Sequence, residues 1–160
     1  MKTSIQLTLI ALALVFGSSC TGFKRENSVS NENRSSDVAD HANIKGQWML
    51  ENIVFNDSDY VQPSEAVPGS RTYITLEDST YFIRTNCNTI SGSYCVKGDS
   101  IVLHDGIMTE KACDNMIIED AIRRILPNIT TVNIENDSIA RLNSRTPAEY
   151  IVLHKTTGRK

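Results

Sequence analysis

Short runs of β-branched and aromatic residues, stopped by polar turns every 8–12 residues, restrict this chain to antiparallel β architectures. Residues 47–55 (QWMLENIVF) open the series. Strict alternation places Trp48, Leu50, Asn52 and Val54 on one face, and Met49, Ile53 and Phe55 on the other. Residues 56–70 read as a polar loop containing Pro63, Pro68 and Gly69. Strand runs at 71–77 and 80–85 flank Asp78-Ser79, a hairpin signal. Runs at 92–96 and 100–104 flank Lys97-Gly98-Asp99, where Gly98 can take a positive φ. Runs at 131–135 and 138–142 flank Asn136-Asp137, and residues 150–154 (YIVLH) form a last strand.

One helix interrupts the strands, over about 115–126. Ile117, Ile118, Ala121, Ile122, Ile125 and Leu126 make a single apolar stripe. Glu119–Arg123 and Asp120–Arg124 are i,i+4 pairs assigned to the opposite face. Asp114 or Asn115 caps the start. Pro127 stops the helix by pushing Leu126 toward extended geometry. The predicted fold is α+β: a mostly antiparallel sheet, a meander or partly closed barrel of about seven or eight strands, with this helix covering its open side.

The N-terminus reads as a processing segment. Lys2 precedes a ten-residue apolar stretch, residues 7–16, about half the length needed to span a bilayer core. Gly17-Ser18-Ser19-Cys20 follows and resembles a bacterial lipobox, with Gly17 where such motifs usually carry Leu. The expectation is a lipoprotein signal peptide over 1–19, lipid on Cys20, and a disordered tether over 20–45 rich in Ser, Asn and charge. By analogy with other lipoproteins, Thr21 favours the outer membrane, the periplasmic or surface face being open.

Residues 46–160 are long enough for one domain with its own core. Cleavage after Ser19 removes Lys2 and no acid, lowering the basic count from 16 to 15 against 19 acids, a net charge of −4. No basic face or aromatic stacking set is present, so nucleic acid is not an expected partner.

An ordered set of residues then becomes specific: Trp48-x-Leu50, Asn86-Cys87-Asn88, Ser91-Gly92-x-Tyr94, Thr109-x-x-Ala112-Cys113, and Glu119 in a helix ending at Leu126. Over about residues 45–155 the chain resembles the META domain (HslJ-like) family. The resemblance implies a small envelope or secreted domain of antiparallel β-fold with a helix. It also implies an association with stress or drug tolerance, with no catalytic residue to carry over. Trp48, Leu50, Asn88, Gly92, Tyr94, Thr109 and Ala112 are implied as structural motif residues. Two departures stand out. Asn86 occupies a position where the family often has Gly, and Asn tolerates left-handed geometry. Lys111 stands where the family often has Met.

The family motif implies a Cys87–Cys113 disulfide and leaves Cys95 as a free thiol, more often a small buried hydrophobe than a reactive group. A Cys87–Cys95 bridge remains an alternative if the hairpin register allows it. A metal site of Cys87, Cys95, His104 and Cys113 is the sharper alternative, but it lacks the close ligand pairs of structural zinc sites. His104 and His154 end strands, where a solvent-facing imidazole is the default. No metal and no cofactor is expected. Enzymatic signatures are absent from the sequence. Asp105, Glu110 and Asp114 gather near the helix start, and Cys113 there is a candidate thiolate only if it is unpaired.

Two functions follow from different classes. The first is a non-enzymatic envelope lipoprotein that contacts another envelope protein, chiefly through residues 56–70. The second is a small-ligand carrier with a barrel-like cavity, which fails if Trp48, Tyr73, Phe82, Tyr94 and the helix stripe fill the interior. A protease inhibitor using residues 56–70 is the weakest reading.

Overall fold

The computed structural model describes residues 43–156. The expected signal segment, Cys20 and all but the last residues of the expected tether lie outside this span.

The chain runs β1 (Gly46–Asn56), β2 (Asp59–Val61), α1 (Pro63–Ala66), β3 (Tyr73–Leu76), β4 (Thr80–Arg84), β5 (Thr89–Lys97), β6 (Ser100–Leu103) and β7 (Ile107–Met108). It continues through α2 (Ile117–Ile125), a 3-10 turn (Leu126–Asn128), β8 (Ile129–Asn136), β9 (Ile139–Ser144) and β10 (Tyr150–Lys155). Around the sheet the order is β10-β9-β8-β6-β5-β4-β3-β1, and β1 pairs back onto β10. Eight antiparallel strands therefore close a barrel within residues 46–155. The closed ring buries its own core and leaves no open end to the sheet. Two short strands lie outside the ring, β2 against β1 and β7 against β5.

Local chemistry sets the turns. Gly98 has φ +63° between β5 and β6. The Asn136 side chain accepts from the backbone N–H groups of Ser138 (2.8 Å) and Ile139 (3.0 Å), closing the β8–β9 turn. Asn56 does the same for Ser58 and Asp59 (both 2.9 Å), turning the chain from β1 into β2. The expected plain loop at 56–70 is thus folded. It holds β2 and α1, buries Pro63, and is tied to the helix region by the Asn115 amide donating to the Ala66 carbonyl (3.0 Å).

The β1 faces differ from strict alternation. Trp48 and Leu50 point inward, but so do Ile53 and Phe55. A β-bulge between Leu50 and Asn52 adds one residue against β10, where Leu50 pairs with Leu153 and Asn52 with Val152. One inserted residue reverses every side chain beyond it. Trp48 is fully buried and its indole N–H donates to the Ile44 carbonyl at 2.8 Å. Tyr94 also points into the core. Tyr73 and Phe82 do not: Tyr73 is half-buried and Phe82 is 44% exposed on the outer face. Isoleucines and leucines from the strands fill the space around Trp48, including Ile74, Ile83, Leu142 and Ile151.

Helix α2 packs on the barrel through Ile118, Ala121, Ile122 and Ile125. It lies beside α1 and β2. The N-cap position is Met116, without a side-chain cap, rather than Asp114 or Asn115; Asn115, one residue earlier, accepts from the Ile117 N–H at 3.1 Å. Leu126 is not extended; it keeps φ −54°, ψ −43°, and the chain tightens into a 3-10 turn through Pro127. The i→i+3 bonding of that turn spares the donor that proline lacks. Ile117 falls outside the buried stripe at 47% exposure, and Glu119 lies inside it, fully buried. Neither expected i,i+4 ion pair forms among the described residues. Arg124 instead pairs with Asp59 (3.0 Å) and stacks 3.7 Å from the Phe55 ring.

Candidate functional site

The polar motif residues converge on the β4–β5 turn. Thr85, at the end of β4, donates its backbone N–H to the Asn88 carbonyl (3.0 Å). Its hydroxyl oxygen accepts from the N–H groups of Cys87 (3.2 Å) and Asn88 (2.8 Å). This side-chain turn makes left-handed backbone unnecessary. No described residue other than glycine has a positive φ, so Asn86 does not use the geometry expected of it. The Asn86 amide instead donates to the Asn115 carbonyl (3.2 Å).

Asn88 then fastens the segment that follows β7. Its Oδ1 accepts from the Thr109 hydroxyl (2.9 Å) and the Lys111 N–H (2.8 Å), and its Nδ2 donates to the Lys111 carbonyl (3.1 Å). Three bonds from one buried side chain clamp residues 109–111 to the turn. Cys87 and Cys113 are joined by a disulfide with Cα atoms 6.3 Å apart. Replacing Asn88 with Ala is expected to lower unfolding free energy by about 2 kcal/mol, since three part-buried bonds are lost together. Asn88→Asp, which sets an acceptor against the Lys111 carbonyl and a second charge near Glu119, should lose at least as much. Urea unfolding followed by circular dichroism reads both, and a loss below about 0.5 kcal/mol for the alanine variant would mean that the clamp contributes nothing.

Glu119 enters this knot from α2. One carboxylate oxygen accepts from the Asn88 N–H (3.2 Å) and is in hydrogen-bond contact with the Thr85 hydroxyl; the other, Oε2, has no partner among the described residues. Sequence reasoning missed Thr85 and put Glu119 on the wrong face. A helical wheel offered the signal: at 100° per residue Glu119 lies about 20° from Leu126, at the edge of the apolar arc.

The remaining motif residues are placed as follows. Gly92 faces Tyr81 across the β4–β5 ladder, and a Cβ on it would come within 2.7 Å of the Tyr81 ring. Ala112 is exposed, and nothing in the structure gives it a packing role. Cys95 is not a free thiol. It stands between buried Tyr94 and half-buried Val96, and alternation along β5 turns it away from the core rather than into it. His104 and His154 are both exposed. Among the described residues no group of three or more His, Cys, Asp or Glu side chains is arranged to hold a metal ion. The disulfide removes Cys87 and Cys113 from any ligand set and Cys113 from thiolate chemistry.

A pocket of about 380 Å³ opens on the barrel flank, between α2 and residues 103–110. Tyr81, Ile90, Leu103, Met108, Ile122 and Leu126 form much of its wall, with Asp105, Glu110 and Arg123 also lining it. Asp114, expected beside these carboxylates, is not part of the lining. The Tyr81 hydroxyl donates to the His104 carbonyl (3.0 Å). Burial first, and the charge of Asp105 second, push its pKa above the ordinary phenol value, so it stays protonated.

Similar folds occur in two solved proteins. The NMR structure of a protein from Burkholderia xenovorans has a TM-score of 0.59 at 21% identity, covering 71% of this chain and 83% of the other. The crystal structure of a DUF4847-family protein from Bacteroides vulgatus has a TM-score of 0.52 at 13% identity, covering 72% of this chain and 95% of the other. Identities this low show a shared fold alone. No curated protein matches the sequence. The META domain family model matches residues 42–156, which is the whole closed barrel with its helix, and the chain therefore belongs to the META domain family.

Proposed function

We propose that this protein is a non-enzymatic envelope lipoprotein whose META domain is a rigid scaffold for contact with another envelope protein, in a stress- or drug-tolerance role. Lipid on Cys20 anchors it, with the outer membrane as the expected site, and residues 21–45 act as the tether. One observation carries the scaffold reading: the motif side chains spend their polar atoms on each other. Asn88 makes three bonds to residues 109–111, and Cys87 is tied to Cys113, so these groups hold shape rather than face a substrate. The contact surface is residues 56–70, where Tyr60 is half exposed on a segment pinned by Asn56, Pro63 and Asn115. Function on a loop held by a scaffold is the usual arrangement. The filled core around Trp48 weighs against cargo carried inside the barrel.

Cys20→Ser should move the protein from the membrane to the soluble fraction on cell fractionation; retention in the membrane overturns the anchor. A photoreactive residue at position 60 should give one discrete crosslinked species in intact cells, and one at exposed position 154 should not. A matching adduct at both positions, or at neither, overturns the contact surface.

A further inference from the structure

The flank pocket is a second site, and its reading does not depend on the scaffold role. Its base is apolar, with Ile90, Ile122 and Leu126 buried beneath it. A volume of about 380 Å³ falls within the range of small-molecule sites. At ~30 Å³ per water-sized group it accepts roughly a dozen non-hydrogen atoms.

The charged groups of its lining are not matched to one another. None of the three ion pairs among the described residues uses Asp105, Glu110 or Arg123. The Arg123 Nε lies 3.1 Å from the Met108 sulfur instead of on a carboxylate. The titratable lining is therefore two carboxylates, one guanidinium and the His104 imidazole, and with the imidazole neutral the carboxylates outweigh the guanidinium. Asp105 is close enough for its charge to be felt at the Tyr81 hydroxyl on the pocket wall. The proton of that hydroxyl is already committed to the His104 carbonyl, so it is not a donor to either carboxylate.

The shape of the wall is specified. A Cβ on Gly106 would stand 2.6 Å from the Ser91 carbonyl oxygen and 2.7 Å from the Tyr81 hydroxyl. Glycine lets residues 103–108 lie flat against β5, where β7 pairs with Ile90 and Ser91, and the space toward α2 stays open.

We propose that this pocket binds a small amphiphilic amine, its apolar body against Ile90, Ile122 and Leu126 and its ammonium at Asp105 and Glu110. An apolar body of about ten carbons matches the volume. The test is an NMR titration of ¹⁵N-labelled residues 21–160, a span that contains the entire closed barrel, with decylammonium chloride below its micelle threshold. Decyl sulfate serves as the matched anion. Saturable shifts are expected at the amides of residues 103–110 and 122–126, with decyl sulfate at least about tenfold weaker. The double variant Asp105→Asn, Glu110→Gln changes two exposed side chains, and it should keep the spectrum of the folded protein while losing about tenfold in affinity. The site is overturned if decylammonium does not saturate, if decyl sulfate binds as tightly, or if the double variant binds unchanged. Shifts centred on exposed Phe82 and Ile107 of the outer sheet face would overturn it too, by marking that face as the binding surface.

Discussion

Trp48→Ala should lower the unfolding free energy by about 3–5 kcal/mol, the range for deleting a large buried aromatic side chain. The indole is fully buried where β1 meets both β3 and β10, so the strands that close the ring share it. Removing it leaves a cavity that several strands would have to collapse together, and hydrogen-bonded ladders resist that. It also strips the Ile44 carbonyl, itself on a buried residue, of its 2.8 Å indole donor. Trp48→Phe separates the two effects. Most of the apolar volume returns while the donor does not, so a loss of about 1–2 kcal/mol is expected. Urea unfolding with intact slope measures both variants. A loss below about 1 kcal/mol for the alanine variant would mean the barrel is not organised around this side chain.

The second large effect is expected from the disulfide. Cys87 and Cys113 are 26 residues apart in sequence, and closing a loop of that length in the unfolded chain is worth about 3.5 kcal/mol in the chain-entropy account. The double variant Cys87→Ala, Cys113→Ala should therefore melt on the order of 10 °C lower. A reducing agent is a poorer probe, because Cys95 is not a free thiol either and its bonding would be disturbed as well. The Asn88 clamp joins the same two segments, at Thr109 and Lys111. Combining Asn88→Ala with the cysteine variant should then lose more than the sum of the two separately, since each link limits the damage from losing the other. Strict additivity would show that the clamp and the disulfide act on independent parts of the fold.

Much of the architecture was readable from periodicity. Alternating runs around Asp78-Ser79, Lys97-Gly98-Asp99 and Asn136-Asp137 became the β3–β4, β5–β6 and β8–β9 hairpins, because turn chemistry is local and acts within a few residues. The helix stripe through Ile118, Ala121, Ile122 and Ile125 was legible for the same reason. β7 was not, since two residues are too few to show a period. The faces of β1 were misassigned beyond Leu50, because the bulge is defined only against β10.

The site divides along the same line. Asn88, Thr109 and the two motif cysteines were marked by their order in the chain, and the Cys87–Cys113 bridge was implied with them, but the bonds of Asn88 to Thr109 and Lys111 were not. Glu119 could be placed at the edge of the apolar arc, but its partners Thr85 and Asn88 stand 34 and 31 residues away in sequence. The flank pocket had no signature at all, since its wall is assembled from β4, β5, β6, β7 and α2.

What the sequence by itself determined is therefore the eight strands of the ring, the hairpin turns, helix α2 and most of the residues fit to be buried. These follow from backbone preferences and side-chain spacing within a dozen residues. The tertiary structure alone decided that β1 and β10 close the ring, that Glu119 is buried against Thr85 and Asn88, and that Asp105 and Glu110 share a pocket with Ile122 and Leu126. Each of those is a contact between distant segments, fixed only when burial of the common core brings them together.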